Sequence, residues 1–284
     1  MIEDIYDIRK EAKNILVSMN QPKVGLPSGL KSIDKVTNGF RDGELIIVAG
    51  NLSMGKSAFA RGVGLEIAKD KLVLLVSLEM SNREVSEMCL TALAKVNYSK
   101  VIQEGLIDKY KKRLDKSAEQ LSKRKLLIWD SSCVTVTNLK AMIDRINEQE
   151  HVDCVIIDYL QLMTTGKQEN RQVEVATISR ELKLLAMEYQ IPVIAVSQIN
   201  RQCEQREDKR PRISDLRDSG ALGQDCDKCL LIHRPAYYYP NGEDDGIAEI
   251  HIAKNRGGPR NKVITCGWLS EYMVFVDVNL EEEF

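Results

Sequence analysis

The sequence predicts an α/β fold: a mainly parallel sheet with helices on both faces and antiparallel strands at its C-terminal end. Three observations carry this. Short, continuous, β-branched apolar runs recur between helical patterns, as strands buried on both faces require. One such run opens directly into a glycine-bearing loop, Gly50 to Ser57, and then a helix. The last third of the chain keeps its strands but loses its long helices, which suits antiparallel pairing through turns.

In chain order, residues 2–19 space Ile2, Ile5, Tyr6, Ala12, Ile15, Leu16 and Met19 along one helical face. Pro22, Gly25, Pro27 and Gly29 then break the chain. Residues 1–22 therefore read as a linker helix and connector, which either docks on a partner or packs on its own domain. Residues 23–284 read as one α/β domain. Within it, 44–49 (ELIIVA) is strand-like and 55–69 helical; 72–78 (LVLLVSL) is a second strand. Helical patterns fill 82–95 and 100–122, a strand covers 126–129, a helix 137–150 and a strand 153–157 (DCVII). Residues 172–189 align Val175, Ile178, Leu182, Leu185, Ala186 and Tyr189 on one stripe, and 191–197 (IPVIAVS) follows as a strand. CLLIHR, GIAEIHIA, KVITCGW and YMVFVDV complete the sheet.

Composition narrows the function. Of 284 residues, 43% are apolar and 29% charged, a globular balance. Forty basic against forty-two acidic residues give a net charge of -2, which excludes a histone-like polycation and leaves only a local basic patch to argue for nucleic acid. No apolar run reaches the ~18–20 residues of a membrane span. The opening MIEDIYDIRKEAKN has no apolar h-region, so no secretory signal is expected. Seven irregularly spaced cysteines suit a reducing cytoplasm rather than a disulfide framework. Cys226 and Cys229 form a lone CxxC; a zinc site would want a second pair or well-placed histidines, and His151, His233 and His251 do not supply them.

The strongest motif is Gly50-Asn-Leu-Ser53-Met54-Gly55-Lys56-Ser57, a G-x4-G-K-S loop between a strand and a helix. Its glycines let backbone N–H groups turn inward around phosphates, and the helix N-terminus adds partial positive charge. Lys56 would reach the β- and γ-phosphates and the Ser57 hydroxyl would bind Mg²⁺. Such a loop needs a second carboxylate on the Mg²⁺ side. Asp158, at the tip of VIID, supplies one where α/β sheets bind ligands, or else caps the following turn. Glu79, just past LVLLV, could accept a proton from an attacking water, or serve as a helix N-terminal acid. Gln198 follows IPVIAVS, where an amide can report the γ-phosphate or simply face solvent.

The stretches GLPSGLKSIDKVTNGF, LIIVAGNLSMGKSAFA, SLEMS, VIIDYLQLM, VIAVSQINR, EQREDKRPRISDLRDSG and IAKNRGGP occur in one order over roughly residues 25 to 260. Together they resemble the bacterial replicative DNA helicase family DnaB, specifically its C-terminal motor. The resemblance implies a RecA-like P-loop NTPase core, ATP and Mg²⁺ as cofactors, and residues 23–284 as the motor domain. It implies Gly50, Ser53, Met54, Gly55, Lys56 and Ser57 as nucleotide ligands, with Ser57 and Asp158 on the metal. It implies Glu79 as catalytic base and Gln198 as γ-phosphate sensor. Lys254 and Arg256 match a pair that reaches the neighbouring subunit's ATP, with Arg256 the arginine finger; without the family they would read as solvated charge on a hairpin.

Between Asn200 and Arg212 lie Arg201, Arg206, Lys209, Arg210 and Arg212 beside three acids, a stretch that charge alone would leave as a solvated loop. The following Asp215-Leu-Arg217-Asp218-Ser-Gly220 resembles the family loop that lines a central channel. Arg217 would pair with phosphate and the backbone near Asp218 and Gly220 would donate to it, with Arg201 and Arg206 as further DNA-binding residues. No aromatic is interleaved, so backbone tracking rather than base stacking is expected. Asp218 stands where family versions commonly carry Glu. Full-length members also carry a helical N-terminal domain that helps bind primase, whereas this chain starts at the apparent linker helix. The implied partners are single-stranded DNA and other copies in a ring, most simply a hexamer, with primase and a loader beyond them and no membrane. Two rival readings are a RecA- or RadA-like strand-exchange ATPase and a non-catalytic nucleotide-gated scaffold.

Overall fold

In a computed structural model, residues 8–20, 24–105, 107–166, 170–216, 220–238 and 246–278 are described. The elements are α1 (Ile8–Met19), α2 (Lys31–Thr37), β1 (Leu45–Gly50), α3 (Lys56–Ile67), β2 (Val73–Ser77), α4 (Asn82–Ala94), α5 (Tyr98–Glu104), α6 (Ile107–Leu121), β3 (Leu126–Asp130) and α7 (Val136–Asn147). There follow β4 (Cys154–Asp158), α8 (Arg171–Tyr189), β5 (Val193–Gln198), α9 (Gly220–Asp225), β6 (Lys228–His233), α10 (Pro235–Tyr238), β7 (Ile247–Asn255), β8 (Lys262–Leu269) and β9 (Val274–Asp277).

The strands form one sheet in the order β3-β2-β4-β5-β1-β6-β7-β8-β9. Pairing is parallel from β3 through β6 and antiparallel from β6 to β9. The apolar runs of the parallel half are explained by burial on both faces: Leu45, Ile47 and Ala49 enter one core, Ile46 and Val48 the other. On β7 the pattern alternates instead, with Ala248, Ile250 and Ile252 buried and Ile247, Glu249 and His251 only partly so. No helix among the described residues is long and apolar enough to cross a membrane.

Three departures from the sequence expectations have local causes. The helical pattern over 100–122 is two helices, because Gly105, at φ 59°, caps α5 in the left-handed region. α2, unforeseen among its breakers, is held at its start by a residue far along the chain: Asp277 accepts hydrogen bonds from the Lys31 and Ser32 N–H groups and from the Ser32 hydroxyl. α1 begins at Ile8 among the described residues and leaves Ile8, Leu16, Val17 and Met19 exposed.

Candidate active site

Parallel pairing brings the tips of β1, β4 and β5 together, and register sets their height: Gly50 lies opposite Gln198, and Ser77 opposite Asp158. A cleft of about 360 Å³ opens there, lined in part by Ser53, Gly55, Lys56, Ser57, Glu79, Asp158 and Gln198. The loop turns on two left-handed residues, Ser53 at φ 62° and Gly55 at φ 91°. A Cβ on Gly55 would stand 3.0–3.1 Å from the rings of Phe275 and Trp268, so glycine is required there by both backbone and space.

Lys56 is 8% exposed and its Nζ donates to the Asn51 carbonyl at 2.7 Å. Burial pulls its ammonium down to about 8, with Asp158 and Glu79 holding it up. The Ser57 hydroxyl donates to Asp158 Oδ1 at 3.1 Å. Burial raises the Asp158 carboxyl, and so does the Glu79 charge; the Ser57 bond, Lys56 and Arg61 pull it back. A hydroxyl and a carboxylate side by side, beside a lysine, are the hard oxygen donors that Mg²⁺ takes together with phosphate oxygens, so the residues fit that ion. Glu79 is exposed at the cleft rim. Gln198 is held through its backbone: Gln161 Oε1 accepts from its N–H at 3.2 Å, and Gln161 Nε2 donates to its carbonyl at 3.1 Å.

Lys254 and Arg256 do not line this cleft. Lys254 Nζ donates to the Gly223 and Gln224 carbonyls of α9 at 2.9 and 2.8 Å. The Arg256 side chain is 75% exposed and its guanidinium approaches Asp227 at 3.4 Å. Asp227 itself is buried, accepting from Lys183 Nζ at 2.6 Å and the Leu45 N–H at 2.9 Å. Cys226 and Cys229, the lone CxxC, are buried free thiols bracketing that aspartate.

On the predicted DNA side, Arg217 and Asp218 lie outside the described residues, as does the side chain of Arg201, which opens a 3-10 turn. Gly220 starts α9, and a Cβ there would meet open space among the described residues. Arg206 is committed within the chain: it grips Asp215 bidentately at 2.8 and 2.6 Å.

Sequence reasoning missed several groups. Asn51, Asp227 and Gln161 act through partners far away in sequence. Arg61, which no motif singles out, is buried in the cleft wall; Nη1 contacts Met88 Sδ at 3.4 Å, and Nη2 has no partner among the described residues. Arg234 sits 5.1 Å over the Trp268 ring at the cleft edge and donates to the Ser53 carbonyl.

The model of the DnaB-like helicase C-terminal domain matches residues 25–277. The replicative DNA helicase DnaB of Buchnera aphidicola subsp. Schizaphis graminum is 40% identical over 264 residues, covering 91% of this chain and 57% of that protein. A solved ATPase domain superposes with a TM-score of 0.91 at 31% identity, covering 97% of this chain and all of that one. A DnaB-like replicative helicase, described with its interactions with primase, gives 0.88 at 31% identity over 97% of this chain and 68% of that one. The chain thus spans little more than half of the Buchnera relative. Matched by that family model over nearly the whole α/β sheet, the chain belongs to the DnaB-like helicase C-terminal domain family.

Proposed function

We propose that this chain is the ATP-driven motor of a replicative DNA helicase, working as a ring, most simply a hexamer, around one DNA strand. The observation that carries the reading is a division of labour. One cleft gathers Lys56, Ser57, Glu79, Asp158 and Gln198, while Lys254 and Arg256 are outside its lining and Arg256 is exposed.

ATP then sits between protomers. The loop from Gly50 to Ser57, with Ser53, Met54 and Gly55, surrounds the phosphates, and Lys56 takes the β- and γ-oxygens. Mg²⁺ bound by Ser57 and Asp158 would neutralise charge on the phosphates. Glu79 orients water and takes its proton; Gln198 senses the γ-phosphate. Arg256 of the next protomer presents its planar fork of donors to the transferring group, with Lys254 beside it. The Trp268 face under Arg234 offers the base an apolar wall. Loss of the γ-phosphate shifts the interface and moves Arg217, Asp218 and Gly220 along the DNA backbone, with Arg201 close by; Arg206, paired to Asp215, braces that segment. Residues 1–22, carrying α1, form the linker that docks on an adjacent protomer, with residues 23–284 as the motor. Primase and a loader are partners of the whole assembly, which would work in the bacterial cytoplasm.

A strand-displacement assay on a tailed duplex tests the reading. ATP-dependent release of the displaced strand is expected; closed rings in electron micrographs would accompany it. ATP hydrolysis and open filaments without unwinding would instead favour a strand-exchange ATPase.

A further inference from the structure

Asn51 is the second residue of the phosphate loop, and its two ends face different parts of the molecule. Its main-chain carbonyl accepts from Lys56 Nζ at 2.7 Å. The residue is 4% exposed, and its side chain is bonded to other elements. There Nδ2 lies 2.6 Å from the Tyr238 hydroxyl oxygen, 3.0 Å from Glu204 Oε1 and 3.2 Å from Cys203 Sγ. A carboxylate only accepts, so the amide nitrogen must face Glu204. That orientation leaves Asn51 Oδ1 buried without a partner among the described residues. A buried orphan acceptor is costly, and such costs concentrate at functional positions.

Beyond Asn51 the contacts continue without a gap. The Arg206 N–H donates to the Cys203 carbonyl at 3.3 Å, closing the 3-10 turn Arg201–Gln205. Arg206 grips Asp215, whose carbonyl accepts from the Asn200 N–H at 2.7 Å. Leu216 pairs with Ile199, and Arg217 follows at once. Tyr238 is fixed by stacking on His233 at 5.4 Å.

We propose that Asn51 is a positioning residue that couples the phosphate loop to the segment 201–216 and so to the DNA-facing loop after it. The proposal rests on the reading of that loop as the DNA contact. The link is Lys56, whose ammonium has three donors and so can hold the Asn51 carbonyl and phosphate oxygens together. A nucleotide that draws Lys56 draws the Asn51 peptide with it, and the side chain on the same residue shifts its grip on Glu204 and Tyr238. A ligand shifts an equilibrium only through contacts that differ between two states, and nucleotides with and without a γ-phosphate differ in their pull on this lysine.

Two variants cut the link without touching the cleft: Tyr238→Phe and Glu204→Ala. The full chain is titrated with fluorescent oligo-dT in the presence of ADP or of a non-hydrolysable ATP analogue, and ATPase rates are measured with and without oligo-dT. Both variants should keep basal ATPase and the KM for ATP within twofold. In both, the ratio of the two DNA dissociation constants should shrink at least fivefold, together with the DNA stimulation of hydrolysis. Asn51→Ala should lose the same nucleotide dependence, and adding Glu204→Ala to it should cost nothing further. Unchanged ratios in Tyr238→Phe and Glu204→Ala, with a wild type that responds to DNA, would overturn the coupling alone. A wild type whose hydrolysis ignores single strands would overturn the DNA reading, and the coupling with it.

Discussion

Lys56 and Arg256 are both cations assigned to one triphosphate, yet their surroundings are opposite. Lys56 starts α3 at the end of a strand covered on both faces, is buried, and is already bonded to its own loop. Arg256 follows β7, in the antiparallel part of the sheet, and three-quarters of its side chain is in solvent. Folding alone completes the first environment. The second stays open to solvent, although its base is fixed: Asp227 ties the Arg256 guanidinium and backbone N–H to Lys183 and to the start of β1. A buried carboxylate with several donors is a rigid mount for an exposed arm. On the proposed reading, the contrast separates a group that binds within one protomer from one that acts across a boundary.

The largest effect should come from that boundary. Arg256→Ala is expected to leave ATP affinity within about threefold and lower turnover by roughly 10³ or more, the size reported by fingers supplied in trans. Mixing Arg256→Ala chains with Lys56→Ala chains should restore part of the activity, because some interfaces then join an intact Lys56 to an intact Arg256. Full turnover in Arg256→Ala alone would erase the distinction between the two regions. Next, Glu79→Gln should lower turnover about 10²–10⁴-fold with nucleotide binding retained, as loss of a general base does; equal losses in binding and turnover would make Glu79 a structural acid instead.

A third test concerns the stability of the antiparallel region. His233 is buried on β6 near Glu249, His251, Arg210 and Asp208, and desolvation pulls its imidazole down to about 4. The unfolded imidazole takes up a proton near 6.5 and the folded one does not, so stability is intact above 6.5 and falls as pH drops from there towards 4. The loss is at most about 3 kcal/mol. His233→Gln should flatten the melting temperature across that window. Glu249, held down to about 2 by its bonds to His251 and Arg210, gives up its share only in stronger acid. The smallest effect is expected from Arg217→Ala: roughly tenfold weaker binding to single strands, with the salt slope reduced by about one. An unchanged slope in fluorescence anisotropy would remove Arg217 from the DNA contact.

Legibility followed the same division. The parallel half could be read because its strands are unbroken apolar runs and its loop motif has fixed spacing; β1, β2, β4 and β5 came out within a residue or two at each end. The antiparallel strands were visible from turns and alternation. The hidden parts depend on partners distant in sequence. Lys228 looks like a strand-edge lysine, but it is fully buried and paired with Glu44. Asn51 looks like a filler in the loop, since nothing local announces Glu204 or Tyr238. α2 has no side-chain cap of its own; the carboxylate that holds its first turn belongs to Asp277. Periodicity reports which face is apolar, not which remote group will satisfy a donor.

That last clasp has a consequence for how the protein is made. Asp277 secures the first turn of α2, and Phe275, two residues earlier, packs against Gly55 in the phosphate loop. A nascent chain on the ribosome lacks both contacts until β9, more than two hundred positions beyond Gly55, has cleared the exit tunnel. The loop at Gly55 is thus locked long after it has been synthesised, and deleting β9 would unsettle a turn more than two hundred positions upstream.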